Sequence, residues 1–186
     1  VGYGKMASVQ EIKKEIDYLL KPGILTGKKA LVTSGPTIEQ IDPVRFISNN
    51  SSGKQGHAIA DALRRHGAET NLISGPVNIK DPENVKVTKV NSAEEMLHEC
   101  RESLPVDIAV FAAAVSDWRC SNTSNIKIKK TSENDELILN LEKNQDILKE
   151  ISTLNKNRPD LVIGFSLETD NLIETTKEKL KNKSCD

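Results

Sequence analysis

Short apolar runs alternate along this chain with segments whose apolar residues recur at helical spacing, and few folds accept that alternation. Lys29 to Thr33, Thr70 to Ser74, Val85 to Val90, Val106 to Ala114 and Leu161 to Phe165 read as strands, with Val106 to Ala114 the most apolar run of all. Helical stretches lie between them. One begins near Gly53 and carries Ala58, Ile59, Ala62 and Leu63 to a stop at His66-Gly67. Another is capped by Ser92 and holds Ala93, Met96 and Leu97; further ones run from Gln145 to Leu154 and from Asn171 to Lys183. Buried strands separated by helices predict an α/β fold, an open, mostly parallel sheet with helices on both faces. Before it, Ser8 to Lys21 carries Val9, Ile12, Ile16, Leu19 and Leu20 as a helical apolar stripe, with Ser8 as its cap and Lys21-Pro22-Gly23 as a linker. An alternating segment from Leu137 to Leu141 reads as one more strand. The chain ends on a helix where the alternation would continue into a strand, so a sheet truncated at its C-terminus is expected.

Charge decides how such a sheet can meet its ligands. With 26 basic against 27 acidic residues there is no global positive field, and any phosphate must be held by local clusters. No apolar run is long enough to span a bilayer, and no secretory pattern is present. Aromatic residues make up 3% of the chain, too few for a base-stacking surface. Neither nucleic acid nor membrane is therefore an expected partner. Cys100, Cys120 and Cys185 form no CxxC or Cys/His cluster and read as reduced thiols of a cytoplasmic protein.

Four constellations could carry chemistry. Ser34-Gly35-Pro36-Thr37 follows the first strand, and Ser48 to Gly56, with Ser52 and Gly53, opens the next helix. Glycines and small hydroxyl residues let backbone N–H groups approach an anion at a helix N-terminus; a surface loop capped by Ser52 is the other reading. No Walker A loop or clean G-x-G-x-x-G order is present. The second constellation is Ala112 to Arg119, where small residues such as Ala113 leave space at the carboxyl end of a central strand, just before Asp117. Asp117 could serve ribose hydroxyls or a metal, or simply start a turn. The third is Lys127-Ile128-Lys129-Lys130 in a polar loop, and the fourth is Lys177, Lys179, Lys181 and Lys183 on the last helix. Lys179 and Lys183 stand four apart and share a face, although charge runs of this kind are commonly solvated surface. His57, His66 and His98 lack partners at ligand spacing and read as surface or capping residues.

Six ordered blocks resemble one family. They are Thr33 to Thr37, Ile41 to Lys54, Ala112 to Arg119, Lys127 to Lys130, Lys143 to Leu148 and Gly164 to Thr169. Together they are similar to the phosphopantothenate–cysteine ligase (phosphopantothenoylcysteine synthetase) domain of the bifunctional bacterial coenzyme A biosynthesis flavoprotein. The resemblance runs from about Gly27 to the end. It implies a Rossmann-like domain over 27–186, with 1–26 as the tail of a preceding decarboxylase domain and a linker helix. FMN would belong to that absent domain.

The implied reaction activates the carboxylate of 4′-phosphopantothenate with CTP, giving an acyl-cytidylate that the amine of cysteine attacks. Mg²⁺ would accompany the triphosphate; no metal ligands are assigned. By resemblance, Asp117, Lys127, Gln145, Asp146, Ile147, Leu148, Phe165, Lys179 and Lys183 contact the nucleotide. The Gly35, Ser52, Gly53 and Ala113 positions join them as nucleotide-binding residues. Asn49 serves the acyl-cytidylate, Arg45 lies nearby, and Lys127 sits on a flap. The family usually has proline where Gln145 stands, and alanines in place of Ser166-Leu167. A homodimer is implied, with a larger homo-oligomer for the full-length protein.

Two other classes stay open on the residues. A nicotinamide-dependent reductase would share the glycine-rich turn, but no Tyr-x-x-x-Lys pair is present, since Tyr3 and Tyr18 both precede the first strand. A non-catalytic scaffold that pairs with the flavin half is the other.

Overall fold

The run of apolar residues in β1 (Lys29–Ser34) is buried from Ala30 onward, because this strand has neighbours on both edges and helices on both faces. The computed structural model describes residues 4, 6–20, 23–129, 137–167 and 170–186. The expected linker Lys21-Pro22, the stretch Gly2-Tyr3, and the motif residues Lys130, Thr131, Glu168 and Thr169 lie outside the described residues.

β1 pairs in parallel with β4 (Glu69–Ser74) on one side and β6 (Ile108–Phe111) on the other. β5 (Lys86–Lys89) continues the sheet beyond β4, and β9 (Leu161–Gly164) beyond β6, giving the order β5-β4-β1-β6-β9. Numbered among themselves these strands read 3-2-1-4-5, the Rossmann-like order, which reverses direction between β1 and β6.

Strand alternation sorts the core into two layers. Leu31, Ile73 and Ala109 face α3 (Ala93–Glu102) and α4 (Ile147–Ser152), joining Met96, Leu97, Cys100, Ile147, Ile151 and Val162. Val32, Leu72 and Val110 face α2 (Lys54–Arg65), where Ala60 meets them. Ser92 caps α3 by accepting from the Glu95 N–H at 3.1 Å, as expected. His66 ends α2, and α5 (Leu172–Lys183) packs against α4.

α1 (Val9–Leu20) starts in a capping box: Ser8 N–H donates to Glu11 Oε2 at 2.8 Å, and Glu11 N–H donates to Ser8 Oγ at 3.2 Å. Val9, Ile12, Ile16 and Leu20 of its apolar stripe are open to solvent, with Val9 75% and Leu20 77% exposed.

Two small antiparallel sheets were not legible in the sequence. β2 (Ile38–Gln40) pairs with β3 (Phe46–Ser48) across a tight turn, and β7 (Trp118–Cys120) pairs with β8 (Leu141–Lys143). The strand expected at Leu137 to Leu141 is thus displaced. Pairing begins only at Leu141, because Cys120 to Trp118 is the edge available to it, while Leu137 and Ile138 stay exposed.

Gly56 sets how closely α2 approaches β1. A Cβ there would stand 2.5 Å from both Cβ and Oγ of Ser34 and 2.9 Å from the Thr33 carbonyl oxygen. Gly56→Ala must therefore push the helix off the strand. A loss of about 1–3 kcal/mol is expected in urea unfolding, the usual range for overpacking; an unchanged midpoint would mean that the two elements do not meet this closely.

Candidate functional site

Past their last paired residues, β1 and β6 remain tied to one another. Ala114 N–H donates to Gly35 O at 2.8 Å, and Ser116 N–H donates to the fully buried Thr37 Oγ1 at 2.9 Å. The Val115 to Asp117 backbone is then stitched from both sides by asparagine amides. Asn49 Nδ2 donates to Val115 O at 2.8 Å, and Asn144 Nδ2 donates to Ser116 O at 2.9 Å. Asn144 N–H also reaches Asp117 O at 2.9 Å.

These ties shape one wall of a cleft of about 580 Å³ at the carboxyl ends of β1, β6 and β9, where the strand order reverses. Open α/β sheets bind their ligands at this place. Small side chains after β6, Ala113 and Ala114, keep it empty of side-chain bulk. The cleft brings together Asn49, Ala113, Asp117, Gln145, Asp146, Ile147, Leu148, Phe165, Lys179 and Lys183 of the expected set, with Asn50, Ser116 and Asn144 besides.

The charges on the walls are matched. Asp146 caps α4, accepting from Lys149 N–H at 3.1 Å, and its other oxygen meets Lys183 Nζ at 3.1 Å. Lys179 stands one turn earlier on α5 and lines the same space. Phe165 is half exposed at the mouth.

Five expected site residues do not line this cleft. Gly35 and Gly53 are buried in left-handed conformations, φ +76° and +71°, under the side chain of Val77. A Cβ on either would fall within 2.8 Å of Val77 Cγ1, so packing alone accounts for both glycines. Ser52 is exposed beside Gly53, and α2 begins without a side-chain cap.

Arg45 is turned onto Asp42. Its Nε donates to Asp42 Oδ2 at 3.0 Å, its Nη2 donates to the same oxygen, and Nη2 donates again to Ile128 O at 2.9 Å. Lys127, next to Ile128, is exposed.

Three residues took on roles that spacing did not signal. Asn144 was visible only as part of a motif, because an amide that bonds a distant carbonyl has no local pattern. His57 is buried, not on the surface: Nδ1 lies 2.9 Å from Ser34 Oγ and 3.0 Å from Gly53 O, and Nε2 lies 3.4 Å from Asp81. Its position on the inner face of α2, one residue after Gly56, was the available signal. Asp42 has a side chain wholly out of solvent, and Arg45 together with the Val44, Ile128 and Arg45 N–H groups holds its carboxyl far below the usual carboxylate range.

Burial pushes the Cys100 thiol up to about 12, so it stays neutral. Among the described residues, no group of three or more His, Cys, Asp or Glu is placed to cage a metal ion, and no helix is long and apolar enough to cross a membrane. What the cleft can do is hold an anionic ligand between a lysine-bearing helix and a backbone wall of fixed carbonyl and amide groups.

Residues 25–186 match the family model described as the DNA/pantothenate metabolism flavoprotein C-terminal domain. Among named relatives, the coenzyme A biosynthesis bifunctional protein CoaBC of Haemophilus influenzae is 42% identical over 188 residues, and that of Vibrio vulnificus 38% identical over 187. Both alignments take in the whole chain but only 46% of the relative, so the chain spans about half their length. The crystal structure of the C-terminal domain of a CoaBC protein superposes with a TM-score of 0.75 at 38% identity, covering 87% of this chain and 75% of that one.

The depressed acidity of Asp42 has a defined pH signature. A carboxyl whose folded-state pKa lies below its unfolded value stabilises the fold fully above about pH 4, and loses that contribution as pH falls toward the folded value. The stability gap between the unsubstituted protein and Asp42→Asn is therefore expected to be constant from pH 7 to about pH 4 and to narrow below it. Urea midpoints across that range measure it; a gap that stays constant down to about pH 2 would contradict the assignment.

Proposed function

Since the chain belongs to the DNA/pantothenate metabolism flavoprotein C-terminal domain family, we propose that it joins 4′-phosphopantothenate to cysteine through an acyl-cytidylate made from CTP. The observation that carries this reading is the cleft at the strand-order reversal, which unites the Asn49 amide, two aspartates and the Lys179/Lys183 pair around one ligand-sized space. A carboxylate oxygen of phosphopantothenate attacks the α-phosphorus of CTP and pyrophosphate leaves. The cysteine amine then attacks the acyl carbon, CMP leaves with the bonding pair, and the amine gives up its proton.

Neither step needs a protein nucleophile. Both need negative charge to be neutralised and the partners to be held in line, which is work for lysines and fixed backbone dipoles. Lys179 and Lys183 take the phosphates, while Ala113 and Leu148 supply apolar wall. Asn49 donates one amide proton to Val115 O, and an amide nitrogen carries two, so the second can serve an acyl-phosphate oxygen. Arg45 and Lys127 act from two separate loops beside the cleft.

The donor set fits Mg²⁺ carried by the triphosphate, since that ion is commonly bound through one or two carboxylates plus substrate phosphates. Asp117 and Asp146 are the carboxylates that would hold it, and it would supply further neutralisation of phosphate charge. Residues 1–26 are the decarboxylase tail and linker helix before the ligase domain of 27–186, a division supported by the exposed Val9, Ile16 and Leu20 of α1. Exposed Val44 and Phe46 beside the cleft loop support a homodimer, larger in the full-length protein. The cytoplasm is the compartment that suits three free cysteines.

Two outcomes test the reading. CTP with Mg²⁺ should raise the melting temperature, because a ligand at 100 times its dissociation constant adds about 2.7 kcal/mol to stability. NADP should not; equal shifts would favour the reductase class. Asn49→Asp should keep the fold and lower single-turnover ligation on the order of 10²-fold, the typical cost of one lost oxyanion donor. Loss of activity that merely tracks loss of melting temperature would make Asn49 a turn residue.

A further inference from the structure

The Asp42 carboxylate joins two loops that are far apart in sequence. It accepts from Val44 N–H and Arg45 N–H at 2.8 Å each, the local bonds that an aspartate makes in many turns. It also accepts from Ile128 N–H at 3.1 Å, across 86 positions, and grips the Arg45 guanidinium, which donates back to Ile128 O. A turn requires only the first pair. The second pair places both backbone groups of Ile128 on one Asp42–Arg45 unit, and Ser124 N–H adds a bond to Ile41 O at 3.0 Å. The same turn joins β2 to β3, which leads within a few residues to Asn49 in the cleft wall. The root of the 124–129 segment is thus fixed to the wall through a buried, ionised group.

We propose that Asp42 is a positioning residue for the reaction: by clamping Ile128 it sets where the adjacent Lys127 stands relative to the cleft. This rests on the ligase reading for the role of Lys127, whereas the clamp itself does not. Asp42 lines no part of the cleft. Its effect passes through Arg45 and the Ile128 backbone.

Amide hydrogen exchange tests the clamp without reference to activity. In Asp42→Asn, exchange at Ile128 N–H should quicken on the order of ten- to a hundredfold, the loss expected for a hydrogen bond to a charged group. The Ala109 and Leu72 amides of the central sheet should quicken by no more than the loss of global stability requires, measured on the same variant by urea unfolding. Unchanged exchange at Ile128 would overturn the proposal.

Ile128→Pro removes the donor from the other side and leaves the Asp42–Arg45 pair intact, so it decides the matter if Asp42→Asn does not fold. In either variant kcat for ligation should fall on the order of tenfold or more, a larger factor than any rise in KM for CTP, as expected when a reacting group is misplaced and the cleft-lining residues are untouched. Wild-type kcat in a variant whose Ile128 tie is lost would reduce the clamp to a structural tie. Failure of the ligase reading shows differently, as absent turnover in the unsubstituted protein, and the exchange result still decides the clamp.

Discussion

The hydrogen bonds that hold β1 and β6 together beyond the end of the sheet are the constraint from which the site follows. In a parallel sheet whose order reverses between two strands, the connections from those strands leave toward opposite faces and a crevice opens between them. Left to itself such a crevice would be lined by loops of no fixed shape. Here the two loops stay hydrogen-bonded to one another, through Gly35 O with Ala114 N–H and Thr37 Oγ1 with Ser116 N–H, so one wall continues the pairing of the strands beneath it. The buried Thr37 hydroxyl matters because Ser116, itself buried, would otherwise carry an unsatisfied backbone donor.

Everything else in the cleft is attached to that wall. Asn49 and Asn144 arrive from different parts of the chain, and each spends an amide proton on a carbonyl of the Val115–Ser116 pair. α4 is then placed by Asp146, two residues after Asn144, and α5 is drawn to α4 by the Lys183–Asp146 ion pair. That pair is about one-third exposed and adds little to stability by itself. Its consequence is orientation: it keeps a lysine at the cleft while holding a carboxylate available to the same space.

Part of the site was readable in advance. Val106 to Ala114 read as a central strand, of which Ile108–Phe111 forms β6, and the alanines at its end marked the open space, because apolar period and side-chain size are properties of the residues themselves. The Ser92 and Ser8 caps were legible for the same reason, since capping is an interaction over three residues. The ordered motif blocks located Asn49, Asp117 and Asp146, and the shared helix face located Lys179 and Lys183; the fold gathers all five into one cleft. Gly35 and Gly53 show the limit of such reading. A glycine that admits an anion and a glycine that admits Val77 look identical in sequence, and both left-handed positions lie beneath a valine.

The sequence by itself determined the layer architecture, the helix starts and the residue types available to the cleft, because periodicity, capping and side-chain volume act over a few neighbouring positions. Only the tertiary structure decided the pairing of β7 with β8 some twenty residues away, the burial of His57 against Ser34, and the reach of Arg45 to Ile128. Each of these is a hydrogen bond between groups distant along the chain. Such a bond forms where the packed sheet brings its partners within about 3 Å and excludes the water that would otherwise satisfy them.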